Sequence, residues 1–136
     1  MKAAVLDSTA VIAFLDPTDE LHGQACTDVF HALNMGHRLV LPATALAELY
    51  QAAYRLDPEG GPASVDGFVA ELISEVHPIN KDAARTAGRR AEHTGLPITA
   101  ALTLSVLDQA EAEYVLTADS DWTGLDQVVV VGVHLP

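Results

Sequence analysis

The sequence predicts an α/β fold: a three-layer α/β/α sandwich on a mostly parallel sheet of about five strands. Three observations carry that expectation. Five short apolar runs recur along the chain, helical patterns fill the gaps between them, and the first run is apolar on both faces. Strands that alternate with helices form parallel sheets covered on both sides, and a strand covered on both sides reads as a continuous apolar run. The length of 136 residues suits a single domain, 1–136, able to bury a real core.

The elements follow in order. Residues 2–6 make the first strand, which stops on Asp7; Asp7, Ser8 and Thr9 are each suited to cap a helix. Asp16, Asp19 and Glu20 surround Pro17 as a solvated turn with a helix cap. Residues 19–35 then place Leu21, Ala25, Val29, Ala32 and Leu33 at helical spacing. "RLVL" (38–41) is a second strand closed by Pro42, and residues 43–55 are a helix. "DPEGGPAS" (57–64) breaks the chain with Pro and Gly, after which Ser64 or Asp66 caps a helix to about residue 73. "EVHPI" (75–79) is the third strand, and Asn80 or Asp82 caps a helix running to about 93. "GLP" (95–97) separates it from a long apolar helix from Ile98 to about Glu111. "EYVLT" (113–117) and "VVVVGV" (128–133) complete the strands. No internal repeat, low-complexity tract or linker interrupts this order.

Composition narrows the function classes. Hydrophobic residues make up 49% and charged ones 19%, the balance of a folded soluble protein. No apolar run is long enough to cross a bilayer and no signal-peptide pattern precedes Asp7, so no membrane association is expected. A single cysteine, Cys26, excludes an internal disulfide and fits a reducing, cytoplasmic setting. The net charge of −12 argues against a broad basic face for nucleic acid. It leaves two uses of acidity open: carboxylates gathered around a divalent cation, or a surface that receives a basic partner. The six histidines (His22, His31, His37, His77, His93 and His134) show no ligand spacing, and no Cys–His set suggests zinc. A glycine-rich phosphate loop and a GxSxG elbow are both absent.

What remains is a set of acids that the fold would bring together. In open α/β sheets, ligands bind outside the carboxyl ends of the strands. Asp7 ends the first strand, and Asp119 and Asp121 directly follow "EYVLT", which puts all three at that edge. Each also has a structural reading. Asp7 suits a helix cap, and Asp119 and Asp121 suit a turn that starts a short helix over Trp122. Thr44, Glu48, Gln51 and Arg55 form one polar stripe at about 100° per residue, which an exposed helix face explains. That helix nevertheless starts just after "RLVL", so Glu48 can equally lean over the same edge. Clustered carboxylates repel one another unless a cation sits among them. Mg²⁺ or Mn²⁺, hard ions that take oxygen ligands and keep several waters, is the expected cofactor. Such a site can activate water for attack on a phosphodiester.

In their order, these motifs resemble the PIN-domain family, in particular the toxin ribonucleases of VapC-type toxin–antitoxin pairs. The resemblance is carried by "VLDSTAVIAFLD", "LPATALAELYQAA", "GLPITAAL" and "YVLTADSDW", and it spans nearly the whole chain. It implies a PIN-like fold and an RNA-cleaving, Mg²⁺-dependent site. By position, Asp7, Glu48 and Asp119 match three of the family's acids, with Asp121 as an accessory. All four are therefore candidate catalytic and metal-binding residues, and the hydroxyls of Ser8 and Thr117 are candidate substrate contacts. A cognate antitoxin and a homodimer are implied as well.

The third segment departs from the pattern. Family members read like "GLSLADAL", and here Ala100 stands at the Asp position. The next acid on that helix, Asp108, lies roughly 12 Å further along at 1.5 Å per residue. Two alternatives therefore stand beside a ribonuclease of reduced activity. One is a catalytically degenerate PIN domain that binds protein or RNA. The other is an unrelated phosphotransfer or hydrolase domain with Asp7 as nucleophile, although position 9 is Thr where a DxD pattern needs a second acid. For an RNA path, Arg85, Arg89 and Arg90 on one helix are the best basic candidates, with a solvated helix face as the plain reading.

Overall fold

The computed structural model describes residues 2–133; His134 lies outside the described residues. Five strands form one sheet: β1 (Ala3–Leu6), β2 (Arg38–Pro42), β3 (Glu75–His77), β4 (Tyr114–Thr117) and β5 (Val128–Val130). Their order is β3-β2-β1-β4-β5, and all four pairings are parallel. β1 is thus central, with all four residues buried, which is why "AAVL" carries no polar alternation.

Six helices cover the sheet: α1 (Ser8–Leu15), α2 (His22–Asn34), α3 (Ala43–Leu56), α4 (Gly61–Leu72), α5 (Lys81–Thr94) and α6 (Ile98–Gln109). Alternate residues of each strand point to opposite faces. Ala4, Leu6, Leu39, Leu41 and Leu116 accordingly join one core with Val11, Val29, Leu49 and Phe68 from α1 to α4. Ala3, Val5, Val40 and Val115 join a second core with Ala100, Leu104 and Leu107 of α6. α5 packs on α6.

Several boundaries differ from the sequence expectation. α1 is a full helix where only its cap was legible, because "STAVIAFL" is apolar all round and shows no periodic face. α4 begins at Gly61 rather than at Ser64 or Asp66. Pro62 sits in its first turn, where a missing N–H costs nothing. Asn80 does cap α5, its side-chain oxygen accepting from Ala83 N at 2.8 Å. α6 stops at Gln109, two residues early, as Glu111 turns with φ 52°. β3 and β5 are shorter than "EVHPI" and "VVVVGV", the latter turning at Gly132 with φ 82°. No helix among the described residues is long and apolar enough to cross a membrane.

Candidate active site

The strand order reverses across β1, whose neighbours β2 and β4 lie on opposite sides, so a crevice is expected outside the carboxyl end of β1. Asp7 occupies that position. Its backbone N–H bonds to Leu116 O of β4 at 2.9 Å, and its side chain caps α1 by accepting from Thr9 N at 3.4 Å. The capping reading of Asp7 therefore holds, and the side chain has a second set of partners as well. Oδ2 accepts from the Thr9 hydroxyl at 2.6 Å and from the Thr117 hydroxyl at 2.9 Å. Those two hydroxyls lie 3.1 Å apart. Each receives a backbone donor from the segment after β4: Ala118 N to Thr9 Oγ1 at 2.9 Å, and Asp119 N to Thr117 Oγ1 at 3.1 Å. With their lone pairs engaged from behind, both O–H groups are aimed at Asp7. The result is a buried carboxylate, only 5% exposed, clamped through one oxygen.

Glu48 lies within electrostatic reach of this carboxylate. α3 starts directly where β2 ends, and Glu48 comes half-buried from its second turn while Gln51 and Arg55 of the same stripe stay exposed. The buried hydroxyl of Ser8 donates to Glu48 Oε1 at 3.3 Å. Burial, and then the charge of Asp7, hold the Glu48 carboxyl above the ordinary glutamate range, with the Ser8 hydrogen bond offsetting part of that rise.

Asp119 and Asp121 are placed differently. Asp119 caps a short 3-10 helix, Ser120–Trp122, accepting from Asp121 N at 2.9 Å through Oδ1, with Trp122 buried beneath. Asp121 is exposed. The four candidate acids thus divide into Asp7 and Glu48, which interact electrostatically, and two turn residues joined to Asp7 through Thr117. Ala100 is fully buried in the α6 core and supplies only a methyl group. Among the described residues, no three His, Cys, Asp or Glu side chains converge as a metal-binding group. The donor chemistry of Asp7 and Glu48 still suits a hard divalent ion: two carboxylates whose mutual repulsion a cation relieves. Such an ion would take most of its remaining ligands from water.

The sequence reading missed Thr9 as a partner of Asp7, since a hydroxyl two residues after a capping acid reads as local chemistry. Its contact with Thr117 spans 108 positions and leaves no local signal.

The raised Glu48 has a consequence for stability. A carboxyl whose folded pKa exceeds its unfolded one contributes stability below the unfolded value, and this is lost as pH rises through the folded value. Ionised Glu48 therefore weakens the fold at neutral pH. Glu48→Gln should raise Tm at pH 7 in the presence of a chelator, and the difference from the parent should vanish below about pH 4, where glutamate is neutral in both states. Melting curves across pH check this, and an equal or lower Tm at pH 7 would contradict a Glu48 carboxyl raised by burial and by Asp7.

Comparison with known proteins adds the family. The PIN domain family model matches residues 4–128. No functionally curated protein matches the chain. Among solved structures, Mycobacterium tuberculosis VapC20, described as a sarcin–ricin-loop-cleaving toxin, is similar with a TM-score of 0.76 at 14% identity. The match covers 95% of this chain and 99% of that one. A DNA-bound VapBC from Salmonella typhimurium gives 0.71 at 18% identity, over 96% and 97% of the two chains. VapBC2 from Rickettsia felis, bound to a DNA fragment from its promoter, gives 0.71 at 13% identity over 94% and 96%. At such identities the likeness is one of fold.

Proposed function

The chain belongs to the PIN domain family, and on that premise we propose that it is a metal-dependent endoribonuclease, the toxin of a toxin–antitoxin pair. The observation that carries this reading is the buried Asp7 carboxylate at the end of the central strand, clamped by Thr9 and Thr117, with Glu48 bonded to the neighbouring Ser8. Capping α1 uses only the bond from Thr9 N, so the two hydroxyl bonds to Asp7 Oδ2 exceed what a helix cap requires.

Asp7 and Glu48 would hold a Mg²⁺ or Mn²⁺ ion, with Asp119 and Asp121 at the margin. When bound, the ion supplies Lewis-acid chemistry: it lowers the pKa of water and stabilises charge on the phosphoryl oxygens. The protein's own part is positional. Thr9 and Thr117 fix one Asp7 oxygen, so the other is presented in a single orientation. Ser8 holds one Glu48 oxygen by a hydrogen bond from its hydroxyl. The Thr117 hydroxyl also fixes the backbone from which Asp119 projects.

A second reading is favoured by one specific observation. No three metal-ligating side chains converge among the described residues, which suits a PIN domain retained for binding. A groove of about 360 Å³ between α1, α3 and α4 offers a surface for it. Its floor is apolar (Ile12, Leu15, Leu49, Val65) and Asp16 and Asp57 stand at its rim, complementary to an amphipathic antitoxin segment with basic flanks. The two readings separate in one assay. A ribonuclease should cleave single-stranded RNA in Mg²⁺ or Mn²⁺ and stop when EDTA is added. Absence of cleavage in both metals would leave the binding module.

A further inference from the structure

The cations of this chain are unevenly placed. Four of its seven Lys and Arg residues, Lys81, Arg85, Arg89 and Arg90, lie on α5 against two acids, Asp82 and Glu92. α5 is therefore the only described helix with a net positive charge, in a chain whose total is −12. Arg90 is committed to Asp108 of α6 at 3.1 Å. Lys81, Arg85 and Arg89 have no ion pair among the described residues, although the chain holds 19 acids.

These three residues recur every four positions, and exposed His93 continues the series. At 100° and 1.5 Å per residue, successive members stand about 6 Å apart along the axis and drift only about 40° around it. The stripe lies opposite Ala83 and Ala87, the buried residues that seat α5 on the protein. It therefore faces outward as a slowly winding row of cations without ion pairs. Like charges at this spacing are mildly destabilising, so the fold gains nothing from the row itself. The other cations do not compete: Arg38 lies 3.8 Å from Glu75, and Lys2 and Arg55 stand apart in the chain.

We propose that Lys81, Arg85 and Arg89 form a track for the phosphate backbone of single-stranded RNA. The inference rests on the ribonuclease reading. A site built from carboxylates repels the polyanion it must cleave, so the substrate needs a separate electropositive hold. Gly95 closes α5 in the left-handed conformation (φ 73°), and three residues link α5 to α6, whose first turn carries Ala100. Because the contacts are to phosphate, the row gives affinity without sequence preference.

The test uses the full chain carrying Asp7→Asn, so that bound RNA is not consumed. Binding of a short single-stranded RNA is measured over a range of salt concentrations, with and without Lys81→Gln, Arg85→Gln and Arg89→Gln together. Three lost phosphate contacts, each worth about 0.7 in the slope of log affinity against log salt, should lower that slope by about 2. Melting curves should change little, because the three side chains are exposed. An unchanged slope while the parent still binds RNA overturns the track and leaves the ribonuclease reading standing. An unchanged slope with an altered oligomeric state by light scattering overturns it too, assigning the row to a second copy of the chain. If the parent binds no RNA and the wild type cleaves none in metal, the reading beneath the proposal fails with it.

Discussion

Asp7→Asn should cut metal-dependent RNA cleavage by roughly 100- to 10,000-fold, the range for losing a positioned charge or proton-transfer group. The substitution is nearly isosteric. The amide oxygen can still accept from the Thr9 and Thr117 hydroxyls that hold Asp7 Oδ2 at 2.6 and 2.9 Å. Its NH₂ would then turn toward Glu48, donating where Asp7 now repels. The fold should therefore survive with an equal or higher Tm in chelator, and that result separates loss of chemistry from loss of structure. Retained cleavage would remove Asp7 from the active site. Lost cleavage with a lower Tm would mark it as a structural cap.

Ala100→Asp should act in the opposite direction on function. Ala100 is fully buried in the core with Val5, Val40 and Leu104, so a carboxylate there meets apolar neighbours. In chelator the variant should lose on the order of 3 kcal/mol or more, the scale for an unpaired buried charge. If the family's third acid belongs at this register, a cation would pair the new charge with Asp7 and Glu48. Mg²⁺ or Mn²⁺ should then recover the lost stability, and metal affinity and cleavage should both exceed those of the parent. Recovery in metal without increased cleavage would place the deficit outside the ligand count. No recovery would mean that the α6 register does not reach the acidic pair.

The sequence revealed features whose cause is local or periodic. β1 was legible because a central parallel strand must be apolar on both faces, and the α5 cap because Asn80 precedes its helix directly. The edge position of Asp7 followed from topology alone. The α1 helix was not legible beyond its cap, since burial removed the polar face that periodicity needs. Glu48 could not be assigned between solvent and site, because a half-buried acid and an exposed one share the same helical stripe. The clamp on Asp7 was hidden for a different reason. Thr9 and Thr117 meet only after β1 and β4 pair, and no spacing encodes that contact.

The most direct measurement is calorimetric titration of Mg²⁺ and Mn²⁺ into the full chain and its Asp7→Asn variant at neutral pH. A catalytic acidic pair requires saturable binding to the wild type that the single substitution abolishes. Absence of binding to the wild type, or equal binding to both, would contradict a metal site at the carboxyl end of β1.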